Sequence, residues 1–299
     1  MPAPSLELAE GIELGCALTA RVADDIGARA LAIKGLVNEA HGLREPRPSA
    51  DVDLLVEPGR HADVVDALLA AGWRRAPTPP APPAFGYHSV TLNHPSWPCE
   101  IDVHDRFPGF LADPADAFET FWVGRTFIVA AGVAVPAPGL CESALLMALH
   151  ALRAPTDPRN SRELIDLVTR LSARPVDLDR LRSLAAETGC LATARPLLVA
   201  LGIDVPPADR NDPRLVEWEL RRTAARTRNV GWLVALRRAS PVHWPALLWS
   251  ILLSNEPMLR LRYPQAPPGR AGVWLARWWR TRTAVRDLPR AMRLARRIR

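Results

Sequence analysis

Residues 30–56 read ALAIKGLVNEAHGLREPRPSADVDLLV. Ala30–Ile33 is a short apolar run that stops at Lys34-Gly35, and Leu36–His41 then takes helical spacing, which predicts a strand, a glycine turn and the start of a helix. Such a turn is a place where backbone amides can meet a phosphate. A polar, proline-bearing loop, Arg44–Ala50, leads into Asp51-Val52-Asp53-Leu54-Leu55-Val56, whose apolar, β-favouring tail predicts a second strand ended by Pro58-Gly59. The strand period of two sends Asp51 and Asp53 to one face. Two carboxylates so close repel at neutral pH and need solvent, arginine or a cation. A hard ion such as Mg²⁺ suits one or two carboxylates plus substrate phosphates. For the pair taken alone the plainer alternative, a strand end whose acids face water, is the commoner case.

Outward from this stretch the periods alternate. Leu6–Ile26 has apolar residues at helical spacing and no proline; His61–Ala71 predicts another helix, with Gly72 as its C-cap. Pro77–Pro83, PTPPAPP, predicts an extended surface loop. Tyr87–Leu92 and Glu100–Asp105 predict two strands about a turn at Asn93–Pro98. Asp102 lies between Ile101 and Val103 on the second of them, a polar residue on a core strand and a candidate third carboxylate that orients or deprotonates a nucleophile. His104 should share its face, as a substrate or base-orienting group or as a structural histidine bonded to backbone. Beyond Pro138 the pattern is helical: Leu140–Leu152, Ser161–Leu171, Leu178–Thr188 and Leu191–Leu201. The expected organisation is an α/β domain over 1–136 and a helical domain over 137–299.

Composition sharpens this. The 299 residues carry a net charge of +6, and of 38 basic side chains only Lys34 is lysine. A single lysine beside Gly35 is either a chance survivor of an arginine-biased composition or a compact point charge for a phosphate. Residues 1–210 hold 19 basic and 27 acidic side chains, whereas 211–299 hold 19 arginines and 5 acids. The tail from Met258 to Arg299 carries 12 arginines against one acid, with Trp274, Trp278 and Trp279 among them. Three readings of it stand: a terminal helical pair packed on the body, a helix for a membrane surface or other anionic partner, or an RNA or DNA contact. The length excludes a tiny stapled scaffold, and the apolar share excludes a disordered chain. The longest nearly uncharged run, Pro241–Ser254, is too short to span a bilayer, so no transmembrane segment is expected. Cys16, Cys99, Cys141 and Cys190 lack CxxC spacing and suit reduced thiols in a cytoplasm.

The ordered motifs resemble the bacterial uncharacterised nucleotidyltransferase family, a branch of the polymerase β-like nucleotidyltransferase superfamily. AIKGLVNEAHGLREPRPSADVDLLV, then EIDVHDRF, is similar to that family's Lys-Gly turn, the arginine shortly before a D-[IV]-D-L-L-V strand, and its later Asp-apolar-His strand. The likeness continues through LLMALHALR and SRELIDL and spans about residues 25–170. It implies a polymerase β-like α/β domain with a mixed sheet, followed by an all-helical C-terminal domain. It further implies transfer of a nucleoside monophosphate from an NTP, such as ATP, to an acceptor with release of pyrophosphate, using two Mg²⁺ ions. Carried over by position, Asp51, Asp53 and Asp102 are the catalytic metal ligands, and Lys34, Gly35 and Arg47 the nucleotide contacts. His104, His150 and Asp166 form a second tier, His150 being expected to pair with Asp166 or nearby backbone. The turn reads Lys-Gly-Leu where the superfamily has Gly-Ser or Gly-Gly, and Asp105 replaces an aromatic residue. These departures keep two alternatives open: a catalytically degenerate nucleotide- or partner-binding protein of the same fold, and a nucleic-acid-binding protein acting through its basic tail.

Overall fold

The computed structural model describes residues 6–77, 88–226, 229–245, 247, 249 and 256–295, so the proline-rich loop beyond Pro77 lies outside the described residues. The chain divides into two compact units, and the first includes residues up to Ala76 and from His88 to Leu215. The boundary expected at 136/137 falls inside that unit, within the strand Val133–Ala137.

The first unit is built on a five-stranded mixed sheet in the order β1-β2-β5-β4-β3, from β1 (Ala30–Ile33), β2 (Asp51–Val56), β3 (Arg74–Arg75), β4 (Ser89–Asn93) and β5 (Glu100–His104). β2 and β5 run parallel and the other neighbours antiparallel. Strand alternation gives the sheet two different faces. Val52, Leu54 and Val56, with Ile101 and Val103, join a buried core with Ile12 and Cys16 of α1 (Leu8–Asp25) and Val64, Val65 and Leu68 of α3 (His61–Ala70). The opposite face presents the acidic positions of β2 and β5. The short α2 (Gly35–Ala40) follows β1 directly, and α4 (Pro114–Val123) precedes a hairpin of β6 (Thr126–Ala130) and β7 (Val133–Ala137). That hairpin turns through Ala131 and Gly132, both at positive φ, as a two-residue turn matched to strand twist requires.

Three helices, α4, α6 (Pro158–Ser172) and α7 (Leu178–Glu187), start where their sequences cap them. Asp113, Asp157 and Asp177 accept hydrogen bonds from the amides of Ala115, Arg159 and Arg180 at 2.8–2.9 Å, and Pro114 and Pro158 occupy the first turns of α4 and α6. Caps of this kind contribute about 1 kcal/mol each. α5 (Leu140–Arg153) is apolar nearly all round, buries Cys141–Leu149, and is the central helix. α6 (Pro158–Ser172) buries only Leu167 and Leu171. α7 (Leu178–Glu187) and α8 (Arg195–Ala200) complete the helical layer.

The second unit includes the chain from Val216, within α9 (Pro213–Arg226), with α10 (Asn229–Arg238) and helices Glu256–Arg262 and Gly269–Ala295. Leu259, Val273 and Ala276 form its small buried cluster, with Tyr263 and Ala266 packed on it. All four cysteines are free and buried, and no helix among the described residues is long and apolar enough to cross a membrane.

Candidate active site

The parallel register of β2 and β5 sets Asp53 opposite Asp102 and Asp51 opposite Glu100. Asp102 turns to the same side as Asp53, and ligand atoms from Asp53, Asp102 and His104 all lie within 4.8 Å of one another. Each carboxylate is held. Thr91, the register partner of Asp102 on β4, donates to Asp102 Oδ1 at 2.5 Å. Ser49 donates to Asp51 Oδ1 at 3.2 Å. Asp53 Oδ1 receives both Lys34 Nζ at 2.5 Å and His104 Nε2 at 2.9 Å. Lys34 stands between β1 and α2 at φ 59°, ψ −135°, a region a side chain rarely adopts, at a cost of about 1–3 kcal/mol that the surroundings must offset.

Lys34, Asp51 and Asp53 open onto a cleft of about 490 Å³ whose lining also includes Gly35, Asn38 and Arg47 on one side and Met147, His150, Arg159 and Glu163 of α5 and α6 on the other. A second recess of about 330 Å³ shares Arg44, Arg47, Met147, Arg159 and Glu163 with it and continues to Arg162, Asp166 and Arg170. The side chains contributed by α6 recur at spacings of three and four, which places them on one helical face. Three buried polar atoms of the cleft have no partner: Asn38 Oδ1, Arg47 Nε and His150 Nδ1. A cleft with convergent, unsatisfied polar groups is the ordinary form of a small-molecule site.

The electrostatics separate the two strand acids. Burial, then the neighbouring Asp53 carboxylate, raises Asp51 above the ordinary carboxylate range, with Lys34 opposing. Burial alone would raise Asp53 too, but Lys34 and His104 hold it well below that range. Burial, then Lys34 and Arg153, pushes His150 down to about 3, so its imidazole is neutral at pH 7.

The sequence profile of the uncharacterised nucleotidyltransferase family matches residues 20–201, which takes in every residue named in this site. The chain belongs to that family. Solved structures similar to this chain include an antigenic nucleotidyltransferase-like protein from Paracoccidioides brasiliensis, 14% identical with a TM-score of 0.42, over 67% of this chain and 95% of that one. Antibiotic-resistance factor ANT(2″)-Ia is 14% identical with a TM-score of 0.37, over 78% of this chain and 100% of its own. A tRNA nucleotidyltransferase complexed with a primer tRNA and an incoming ATP analogue is 17% identical with a TM-score of 0.26, over 78% and 79% of the two chains. No curated protein matches the chain significantly. The fold is nucleotidyltransferase-like, a mixed sheet with helices and a helical C-terminal region.

The structure brings Lys34, Gly35, Arg47, Asp51, Asp53 and His150 to one cleft, with Asp102 and His104 clustered on Asp53. Arg47 is ion-paired with Glu163 of α6 at 2.6 Å. Asp166 lies apart, in the adjoining recess, and no hydrogen bond joins it to His150. Asn38, Thr91, Arg159 and Asn160 belong to the site or its support and carry no local signal; only the register of β4 on β5 and the packing of α6 bring them there.

The residues fit a divalent cation. Two carboxylates and an imidazole lie within reach of a single ion, His104 Nδ1 is buried without a partner, and the Asp51 carboxyl, raised by burial and then by the Asp53 carboxylate, is a group whose ionised form a cation would favour.

Proposed function

We propose that the protein transfers a nucleoside monophosphate from an NTP to a nucleophilic group, most simply a hydroxyl, on an acceptor, releasing pyrophosphate, in a Mg²⁺-dependent reaction. Asp51, Asp53 and Asp102 would hold the metal, which when bound neutralises the phosphates and the charge that develops on them. The observation that carries this reading is the Asp53–Asp102 register pair beside a polar cleft wide enough for a nucleotide. Lys34, Gly35 and Arg47 line the phosphate side. Asp102 takes the proton of the acceptor hydroxyl as its oxygen bonds the α-phosphorus and the bond to the β-phosphate oxygen breaks. Thr91 fixes the orientation of that carboxylate, and His104 that of Asp53. Positioning and charge neutralisation supply most of the acceleration.

The test supplies each labelled NTP with Mg²⁺ and candidate acceptors, and follows pyrophosphate and labelled product. The wild type should turn over, and Asp53→Asn and Asp102→Asn should each lose about 10²-fold or more while keeping the native circular dichroism. No NTP binding by the intact protein with Mg²⁺ present would end the enzyme reading. The Lys34–Asp53 ion pair favours a second reading, a binding protein without turnover, which predicts nucleotide binding with no pyrophosphate. The exposed, arginine-flanked tryptophans of helix Gly269–Ala295 support an anionic partner for the second unit, RNA first among them.

A further inference from the structure

Asp53 is the carboxylate nearest the centre of the acidic cluster, and one of its two oxygens is already spoken for. Oδ1 accepts from Lys34 Nζ at 2.5 Å and from His104 Nε2 at 2.9 Å, in a setting where the Lys34 side chain is 17% exposed and that of Asp53 4%. A carboxylate that bridges two metal ions offers an oxygen to each; here only Oδ2 is left. Three further observations fix the ammonium where it is. Lys34 sits on a backbone conformation that glycine would adopt freely and lysine does not, immediately beyond Ile33, the register partner of Asp53. Its Nζ also stands 5.8 Å above the Phe107 ring, an additional site of attraction for a cation. It is the single lysine among 38 basic residues, in a chain that uses arginine everywhere else. A planar guanidinium with five donors is ill suited to a point contact shared with an imidazole on one oxygen, whereas a compact ammonium suits it.

We infer that the Lys34 ammonium is a built-in replacement for one of the two divalent cations of a two-metal nucleotidyl-transfer site, leaving this chain a one-ion centre on Asp51, Asp53 Oδ2 and Asp102. The inference rests on the proposed metal-dependent reading of the site. It makes Lys34 a catalytic residue in its own right: a fixed charge at Asp53 that needs no free ion. A nucleotide phosphate entering the cleft meets that charge already in place.

Electron paramagnetic resonance of Mn²⁺ tests this without reference to turnover. The full-length protein is loaded with Mn²⁺ and each α,β-methylene NTP in turn, and protein-bound ions are counted alongside the spectrum. Wild type should bind one ion per site and give a magnetically isolated spectrum. Lys34→Gly, which leaves the positive φ unstrained and so guards against misfolding, should bind two and give the spectrum of a coupled pair. Lys34→Arg should fail to restore the one-ion state. A coupled pair in wild type would overturn the inference while leaving the metal-dependent reading intact, and so would a single ion in folded Lys34→Gly. No bound ion in any variant, with or without nucleotide, would overturn both.

Discussion

His150 couples the helical layer to the strand acids, and its ionisation gives the site a pH signature. The imidazole lines the cleft, Nδ1 is buried without a partner, and burial together with Lys34 and Arg153 keeps it neutral. Its value falls from the usual 6.5 to about 3 in the folded protein, so the unfolded chain gains the proton first as pH drops. The stability associated with the neutral form is therefore complete above the unfolded value and is lost as pH falls toward the folded one. At about 1.4 kcal/mol per pH unit, the loss reaches about 2 kcal/mol near pH 5. Urea unfolding of His150→Asn should lack this part of the acid limb, so the gap between variant and wild type should shift by about that amount between pH 7 and pH 5. Parallel limbs would show that the imidazole is not held neutral. At this scale the sequence is informative where chemistry is local: Lys34-Gly35 and Asp51-x-Asp53 carry their geometry in a two-residue period. It is silent on Asn38 and Arg159, whose side chains acquire a role only when α2 and α6 face each other across the cleft.

The elements follow from period and punctuation, and they depart from the expected ranges where a proline or a cap intervenes. The helical spacing of Leu191–Leu201 contains Pro196, and the helix forms only from Arg195 to Ala200, because proline is tolerated in the first turn and not inside. The helix expected from Ser161 starts earlier, at Pro158, because the Asp157 carboxylate caps it. The sheet order could not be read locally: β2 pairs with β5 across the intervening α3, β3 and β4, and that long-range pairing is what sets Asp102 beside Asp53. The end of α7 shows how tightly the helical layer is joined to the loop before α4. Gly189 has φ +69°, and a Cβ there would meet the Ala112 nitrogen at 2.7 Å and the Leu111 carbonyl carbon at 3.0 Å. Both neighbours are backbone and cannot swing aside. Gly189→Ala should cost at least about 2 kcal/mol and lower the Tm by roughly 4–8 °C. A variant that melts with wild type would mean that this junction is loose.

Taken as a whole, the molecule keeps its acids and its bases in different places, and the consequence is measurable. Residues 211–299 hold 19 arginines against 5 acids, and the sheet-bearing unit carries the acidic excess. Helix Gly269–Ala295 exposes Trp274 and Trp278, at 65% and 54%, with the Arg277 guanidinium 4.9 Å from one ring centre and that of Arg282 5.5 Å from the other. Exposed rings flanked by guanidinium groups offer stacking surface and phosphate contacts together, the combination that single-stranded RNA uses. Four arginine–phosphate contacts would give a slope near −3 in a plot of log affinity against log salt, or about 50-fold weaker binding between 50 and 200 mM. Fluorescence anisotropy with a labelled single-stranded RNA should show that slope in wild type and a slope smaller by about 1.4 in Arg277→Gln/Arg282→Gln. Trp274→Ala/Trp278→Ala should weaken binding by about 1–3 kcal/mol per stacked base and leave the slope unchanged, because the rings carry no charge. Salt-insensitive binding, or none in the wild type while anionic lipid vesicles are bound, would transfer the helix from nucleic acid to a membrane surface or a protein partner. Arginine variants indistinguishable from wild type would remove it from phosphate recognition altogether.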